Sequence, residues 1–214
     1  MRLFGALIAV VAWAALASQY YLITLGTTGG EFLIRTVNFV SFFTILSNIF
    51  VALVTMTTAV APRTAPGRIL MRPVVASAAM LYIGVTGVIY FFILRHLWQP
   101  EGLQFWVDAA LHYATPGLFL VFWFGAVIKG KLQTEVVSKM LVFPVLYAVY
   151  SLLRGPFADW YPYPFLDAGQ LGYGRVAVNI ALLIAGFAVL GLVLVALDRA
   201  IGRVRGMSDG VPGV

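Results

Sequence analysis

The chain has 214 residues, 62% of them apolar and only 10% charged, with a formal net charge of +6 and no cysteine. A soluble globular protein carries roughly 25% charged residues, so a chain this apolar has lipid for its solvent, and without cysteine it has no disulfide, thiolate metal centre or thiol nucleophile. The positive charge is not a nucleic-acid footprint, because the basic residues sit in short loops between apolar runs and form no single stripe.

Six apolar stretches stand out, each bounded by charge, Gly or Pro: Leu3 to Leu25, Val37 to Ala61, Pro73 to Leu94, Val107 to Ile128, Ser138 to Leu153 and Val176 to Leu197. A spanning helix needs about 20 apolar residues to cross a core of roughly 30 Å. The pattern predicts an all-α polytopic bundle of six transmembrane helices over residues 1–206, followed by a disordered cytoplasmic tail, 207–214. Arg2, the apolar run after it and Ala15-Leu16-Ala17 have the look of a signal peptide with its cleavage site. The run continues through Tyr20 and Tyr21 to Leu25, however, which predicts a retained first helix. Strict alternation, which a transmembrane barrel would show, is missing, and the two halves do not repeat one another.

Charge sets the expected orientation. The N-terminus, second loop, fourth loop and C-terminus share one side and carry Arg2, Arg63, Arg68, Arg72, Lys129, Lys131, Lys139, Arg199, Arg203 and Arg205. The other side carries Arg35, Arg95, Arg154 and Arg175. The positive-inside rule then makes both termini cytoplasmic, and Trp98, Trp106, Trp160, Tyr161 and Tyr163 suit an aromatic belt at the outer interface.

Polar groups inside a membrane are costly, so their positions are the main functional clue. The second stretch carries Ser41, Thr44 and Asn48 on one face, with Thr44 about seven residues in, roughly 10 Å deep. The fourth carries Asp108, His112 and Thr115 on one face, with His112 roughly 8 Å deep. The third presents Tyr82, Thr86 and Tyr90. The fifth presents Tyr147, Tyr150, Ser151 and Arg154, and the sixth has Asn179 one turn below Arg175. These positions predict a closed polar pocket in the outer half of the bilayer, not a pore, which would need polar lining throughout.

Ser and Thr in a membrane helix ordinarily bond back to their own backbone or join helices, and Arg154 or Arg175 can snorkel. An intramembrane His one turn from an Asp is harder to assign to packing. A metal site with one His and one Asp lacks ligands. The remaining pair is a hydroxyl (Thr44, Ser41 or Ser47) with His112 as the base that activates it. Asp108 would orient the ring as the third member of a triad, and Asn48, Arg154 or Asn179 would donate to an oxyanion.

At these residues the sequence resembles a known family. Phe43-Thr44-Ile45-Leu46-Ser47-Asn48, Leu111-His112-Tyr113-Ala114-Thr115-Pro116 and Trp160-Tyr161-Pro162-Tyr163-Pro164-Phe165-Leu166-Asp167 look like a bacterial family of small six-span membrane proteins. That family in turn resembles the androgen-induced membrane hydrolases, which cleave fatty acid esters of hydroxy fatty acids with an intramembrane Thr and His and no metal or cofactor. The resemblance implies a hydrolase of lipid esters in the bacterial inner membrane, with Thr44 as nucleophile. Its base is His112, unless matching the prolines of the fourth helix moves the family His onto Asp108. Asn48, Asp108, Tyr150, Arg154 and Asn179 are the expected substrate or oxyanion contacts. Partners would be a fatty-acyl ester substrate and membrane lipids, with no cofactor and no nucleic acid. Two other readings of the same pocket are a non-enzymatic lipid-binding or transport protein and a b-type haem protein ligated by His96 and His112.

Overall fold

A computed structural model describes residues 1–97 and 99–208. It is 84% helix, with no strand among the described residues. Among the described residues, six helices are long and apolar enough to cross a membrane: Arg2–Thr24, Phe43–Val60, Pro73–His96, Gly102–Ala126, Val136–Ala158 and Ala168–Gly206. That is the make-up of a multi-pass membrane protein. Trp98 of the expected aromatic belt and residues 209–214 of the expected tail lie outside the described residues, whereas Met207 and Ser208 belong to the last helix. The chain forms two compact units, Met1–Val127 with four of these helices and Ile128–Val214 with two.

In the first unit, α1 (Arg2–Thr24) buries Gly5, Ile8, Ala9, Ala12, Ala15 and Leu16. These positions share one helix face. Most are small, which lets a neighbouring backbone come close where lipid supplies no hydrophobic drive between helices. A Cβ on Gly5 would lie 3.3 Å from the Thr55 carbonyl oxygen of α3 (Phe43–Val60). Ala12, Ala15 and Leu16 continue into a core with Phe39, Ile45, Ala52, Val107 and Leu111.

The expected second span is two helices, not one. α2 (Gly29–Val40) stops at Ser41, Phe42 is extended (φ −80°, ψ 128°), and α3 begins at Phe43. No Gly or Pro marks the break. The Ser41 hydroxyl donates to the Val37 carbonyl at 2.6 Å, a side-chain bond of the kind that competes with the helix ladder. With 12 residues, about 18 Å, α2 is too short to cross a bilayer. Tyr20 ties it to α1: its hydroxyl meets Thr36 Oγ1 at 3.0 Å, and its ring packs edge-on with Phe32 and Phe39. Leu33, Ile34 and Val37 stay exposed, the pattern of a helix lying in an interface.

A short α4 (Ala65–Leu70), capped by Thr64 Oγ1 on the Gly67 N–H, leads into α5 (Pro73–Phe92). The fourth span is α6 (Gly102–Ala109), one π turn (Ala110–Ala114) and α7 (Thr115–Ala126). Buried Trp123 donates through Nε1 to buried Ser77 Oγ at 2.8 Å and joins α7 to α5.

The second unit pairs α8 (Val136–Ala158) with α9 (Ala168–Ser208), which is kinked at Gly172 (φ 74°). α8 ends on Asp159 in a left-handed conformation (φ 45°), and the Tyr-Pro segment then folds back. Trp160 N–H donates to the Gly155 carbonyl, Tyr163 stacks on Phe165, Asp167 Oδ1 accepts the Gln170 N–H, and Asn179 Nδ2 donates to the Phe165 carbonyl at 2.9 Å. At the other end, Asp198 is fully buried, and its Oδ2 accepts the Leu132 N–H at 2.9 Å. Arg199 Nε donates to the Leu132 carbonyl. Burial pulls the ammonium of neighbouring Lys129 down to about 8 despite the opposing charge of Asp198.

Gly155 is where the Tyr161 ring lies against α8. A Cβ there would sit 2.0 Å from that ring, whereas at Gly186 none of the described residues lies within 4 Å. Gly155→Ala should lower stability by about 2 kcal/mol through overpacking, read as thermal midpoint in detergent. Gly186→Ala should be neutral or better in the same assay.

Candidate active site

The local geometry begins with a missing hydrogen. Pro116 has no N–H to continue the helix ladder. Upstream of it the helix widens by one residue, so that the Thr115 N–H reaches the Ala110 carbonyl, five residues back. In an α-helix that N–H would serve Leu111. The next N–H, which a wider turn would offer Leu111, is the one Pro116 lacks. The Leu111 carbonyl is taken instead by Asn48 Nδ2 of α3 at 3.2 Å. The second hydrogen of the same amide goes to the Thr44 carbonyl at 2.9 Å. One buried asparagine thus fastens the π turn to the first turn of α3.

His112 lies in that widened turn, and π turns recur at functional sites. Its Nε2 faces Thr44 Oγ1 at 3.5 Å, a long contact of the kind that tightens around a bound reactant. Its Nδ1 lies 3.2 Å from Asp108 Oδ1 and 3.0 Å from the Asp108 carbonyl oxygen. Both neighbours of Nδ1 are acceptors, so Nδ1 carries the hydrogen. In the neutral ring Nε2 then presents its lone pair to Thr44. Asp108 is buried, and its other oxygen, Oδ2, accepts the hydroxyl of Tyr90. The Tyr90 ring stacks on His112 with centroids 3.9 Å apart and planes 15° apart.

Thr44, Asp108, His112 and Asn48 therefore come together, although their positions along their helices differ from those expected. Thr44 is the second residue of its helix, not seven residues in. His112 lies nearly three turns past the start of its span at Gly102, because that span begins five residues earlier than the apolar pattern implies. The contact is made where the π turn, and not α6, packs against the first turn of α3. Ser41 is separated from Thr44 by the helix break and bonds to Val37. Ser47 donates to the Phe43 carbonyl. Of the three candidate hydroxyls, Thr44 is the one that reaches the imidazole.

Asn48 is placed differently from its expected role as an oxyanion donor, since both of its amide hydrogens are engaged by carbonyls. Its Oδ1 is buried without a hydrogen-bond partner among the described residues. Tyr150, Arg154 and Asn179 belong to the second unit. There Tyr150 is 41% exposed, Arg154 lies 5.1 Å from the Trp160 ring centre, and Asn179 holds the Phe165 carbonyl. The haem reading does not fit: both ring nitrogens of His112 face partners within the protein, and His96 is exposed with its Nε2 against Arg95 Nε at 3.2 Å.

Tyr90 and Pro116 are the residues whose part in the site the sequence reading did not assign. Tyr90 stood on the polar stripe of its helix, and Pro116 stood in the His112 motif. Neither was linked to Asp108 or to the Leu111 carbonyl, which lie in another helix or in the backbone.

No family model matches the chain, and neither a curated protein nor a solved structure matches it.

Asn48→Ala should cost about 2 kcal/mol, because it leaves the Leu111 carbonyl buried and unbonded. The expected result is a lowered thermal midpoint in detergent. An unchanged midpoint would mean that the two helix segments are held together by other contacts.

Proposed function

We propose that the protein is an integral membrane hydrolase of lipid esters, with Thr44 as nucleophile, His112 as general base and Asp108 as the residue that orients the imidazole. The observation that carries this reading is the chain Thr44 Oγ1, His112 Nε2, His112 Nδ1, Asp108 Oδ1, with contacts of 3.5 and 3.2 Å. It is the order of roles in a hydroxyl–imidazole–carboxylate triad. The likeness of Phe43-Thr44 and of Tyr163-Pro164-Phe165-Leu166 to the androgen-induced hydrolases supports Thr44 as the nucleophile, and with it a fatty-acyl ester as substrate.

In this mechanism Thr44 Oγ attacks the ester carbonyl while its proton passes to His112 Nε2. Collapse of the tetrahedral intermediate breaks the bond to the alcohol, which leaves with that proton, and the acyl group stays on Thr44. Water then attacks the acyl-threonine and gives a proton to His112. The carboxylic acid departs and the Thr44 hydroxyl is restored. Asp108 keeps the imidazole in the tautomer that can accept, and stabilises the imidazolium when it forms. Thr44 lies in the first turn of α3, at the positive end of the helix dipole, where negative charge on the substrate oxygen is favoured.

The orientation follows from charge. With six crossings both termini share a side, and ten of the fourteen basic residues fall there. That side is the cytoplasm of a bacterial cell in this reading. Thr44 then faces the outer leaflet.

Purified protein should hydrolyse a fatty acid ester of a hydroxy fatty acid and label with a fluorophosphonate probe. Thr44→Ala should abolish labelling, and His112→Asn should slow turnover about 10³-fold or more. Labelling that survives Thr44→Ala unchanged rules Thr44 out as nucleophile. Lipid bound without turnover, together with no labelling, points instead to a lipid-binding protein.

The absence of cysteine makes topology directly readable. Gln99→Cys should react with a membrane-impermeant maleimide in intact cells, and Lys131→Cys only after permeabilisation. The reverse pattern inverts the orientation.

A further inference from the structure

We propose that Tyr90 is a positioning residue for the Asp108–His112 pair, a role that rests on the hydrolase reading for its catalytic meaning but not for its geometry. Asp108 must present one oxygen to His112 Nδ1 while the rest of its carboxylate stays satisfied in a buried setting. Nδ1 lies 3.2 Å from Oδ1, and the Tyr90 hydroxyl donates to Oδ2. With each oxygen held by a different element, the carboxylate is not free to turn. The Tyr90 ring then fixes the other partner: stacked on the imidazole at 3.9 Å, it restrains the ring plane that carries Nε2 toward Thr44. Tyr90 is itself held, 4% exposed, with Tyr113 edge-on at 5.4 Å.

The backbone is shaped for this contact. Gly87 lies one turn before Tyr90 on α5, and a Cβ there would come within 3.3 Å of the His112 carbonyl oxygen and 3.4 Å of Pro116. A glycine at that point lets α5 close on the π turn, which brings a tyrosine ring flat against the histidine. A tyrosine that merely filled space would need neither the hydroxyl bond nor the parallel stack.

His112 can be watched without activity, because the chain has only two histidines. With ¹⁵N-labelled histidine in the full-length His96→Asn protein, His112 should show a protonated Nδ1 and an unprotonated Nε2. Tyr90→Phe keeps the ring and removes the hydroxyl. It should mix in the opposite tautomer and lower kcat for the lipid ester about tenfold, with KM within twofold. In an Asp108→Asn background, adding Tyr90→Phe should change neither readout further, since Tyr90 acts through the carboxylate. Gly87→Ala, which pushes α5 away while leaving Tyr90 intact, should mix the tautomers in the same way, and it serves as the probe if Tyr90→Phe does not fold. A protein whose tautomer responds as stated but which hydrolyses no ester keeps the positioning role and loses the hydrolase reading. Tautomer and kcat unmoved by Tyr90→Phe, or moved equally in the Asp108→Asn background, overturn the proposal.

Discussion

Pro116 withholds one amide hydrogen from the fourth span, and much of the first unit is arranged around that omission. In water a carbonyl without an intrahelical partner is bonded by solvent. In a membrane it has to be bonded by protein. The turn before Pro116 opens to a π turn, the Leu111 carbonyl turns outward, and Asn48 supplies the donor. That asparagine also holds the Thr44 carbonyl, so the repair of one helix fixes the start of another. The side chains with chemical potential, Thr44 and His112, sit at the two ends of this repair.

The cost of burying polar groups in lipid explains why they gather so tightly. Asp108 is 5% exposed and has an imidazole and a phenol around it. Each member of the set satisfies another, and the removal of any one leaves a neighbour without its bond. The apolar parts of the unit make this density possible. The small residues of α1 let α3 approach closely, and Gly87 does the same between α5 and the π turn.

Six long apolar helices were legible from hydropathy, because it depends on residues near one another in the chain. Thr44, Asp108 and His112 could be singled out for the same reason: a hydroxyl, a carboxylate and an imidazole are conspicuous inside apolar runs. The break at Ser41 and Phe42 was not legible. It falls in a largely apolar stretch with no Gly or Pro, and the short helix before it packs against Tyr20, a contact between separate helices. The part played by Tyr90 was hidden likewise, since its partner Asp108 is 18 residues away on another helix. Asn48 was visible as a polar residue, but its two acceptors are backbone carbonyls, and sequence patterns say little about backbone groups.

The break between α2 and α3 has a consequence for how water reaches the chemistry. In the proposed hydrolysis, acyl transfer to Thr44 would be only the first half, since the acyl-threonine would then need a water that a hydrocarbon interior does not hold. A nucleophile in the middle of a continuous span would have to draw that water through lipid. Thr44 is instead the second residue of its helix, just past the break that follows a short helix with an exposed apolar face. In the proposed reaction such a break, beside His112 and well inside the neighbouring span, would be where that water enters, and the turnover of the second step would then be set by the hydration of the break.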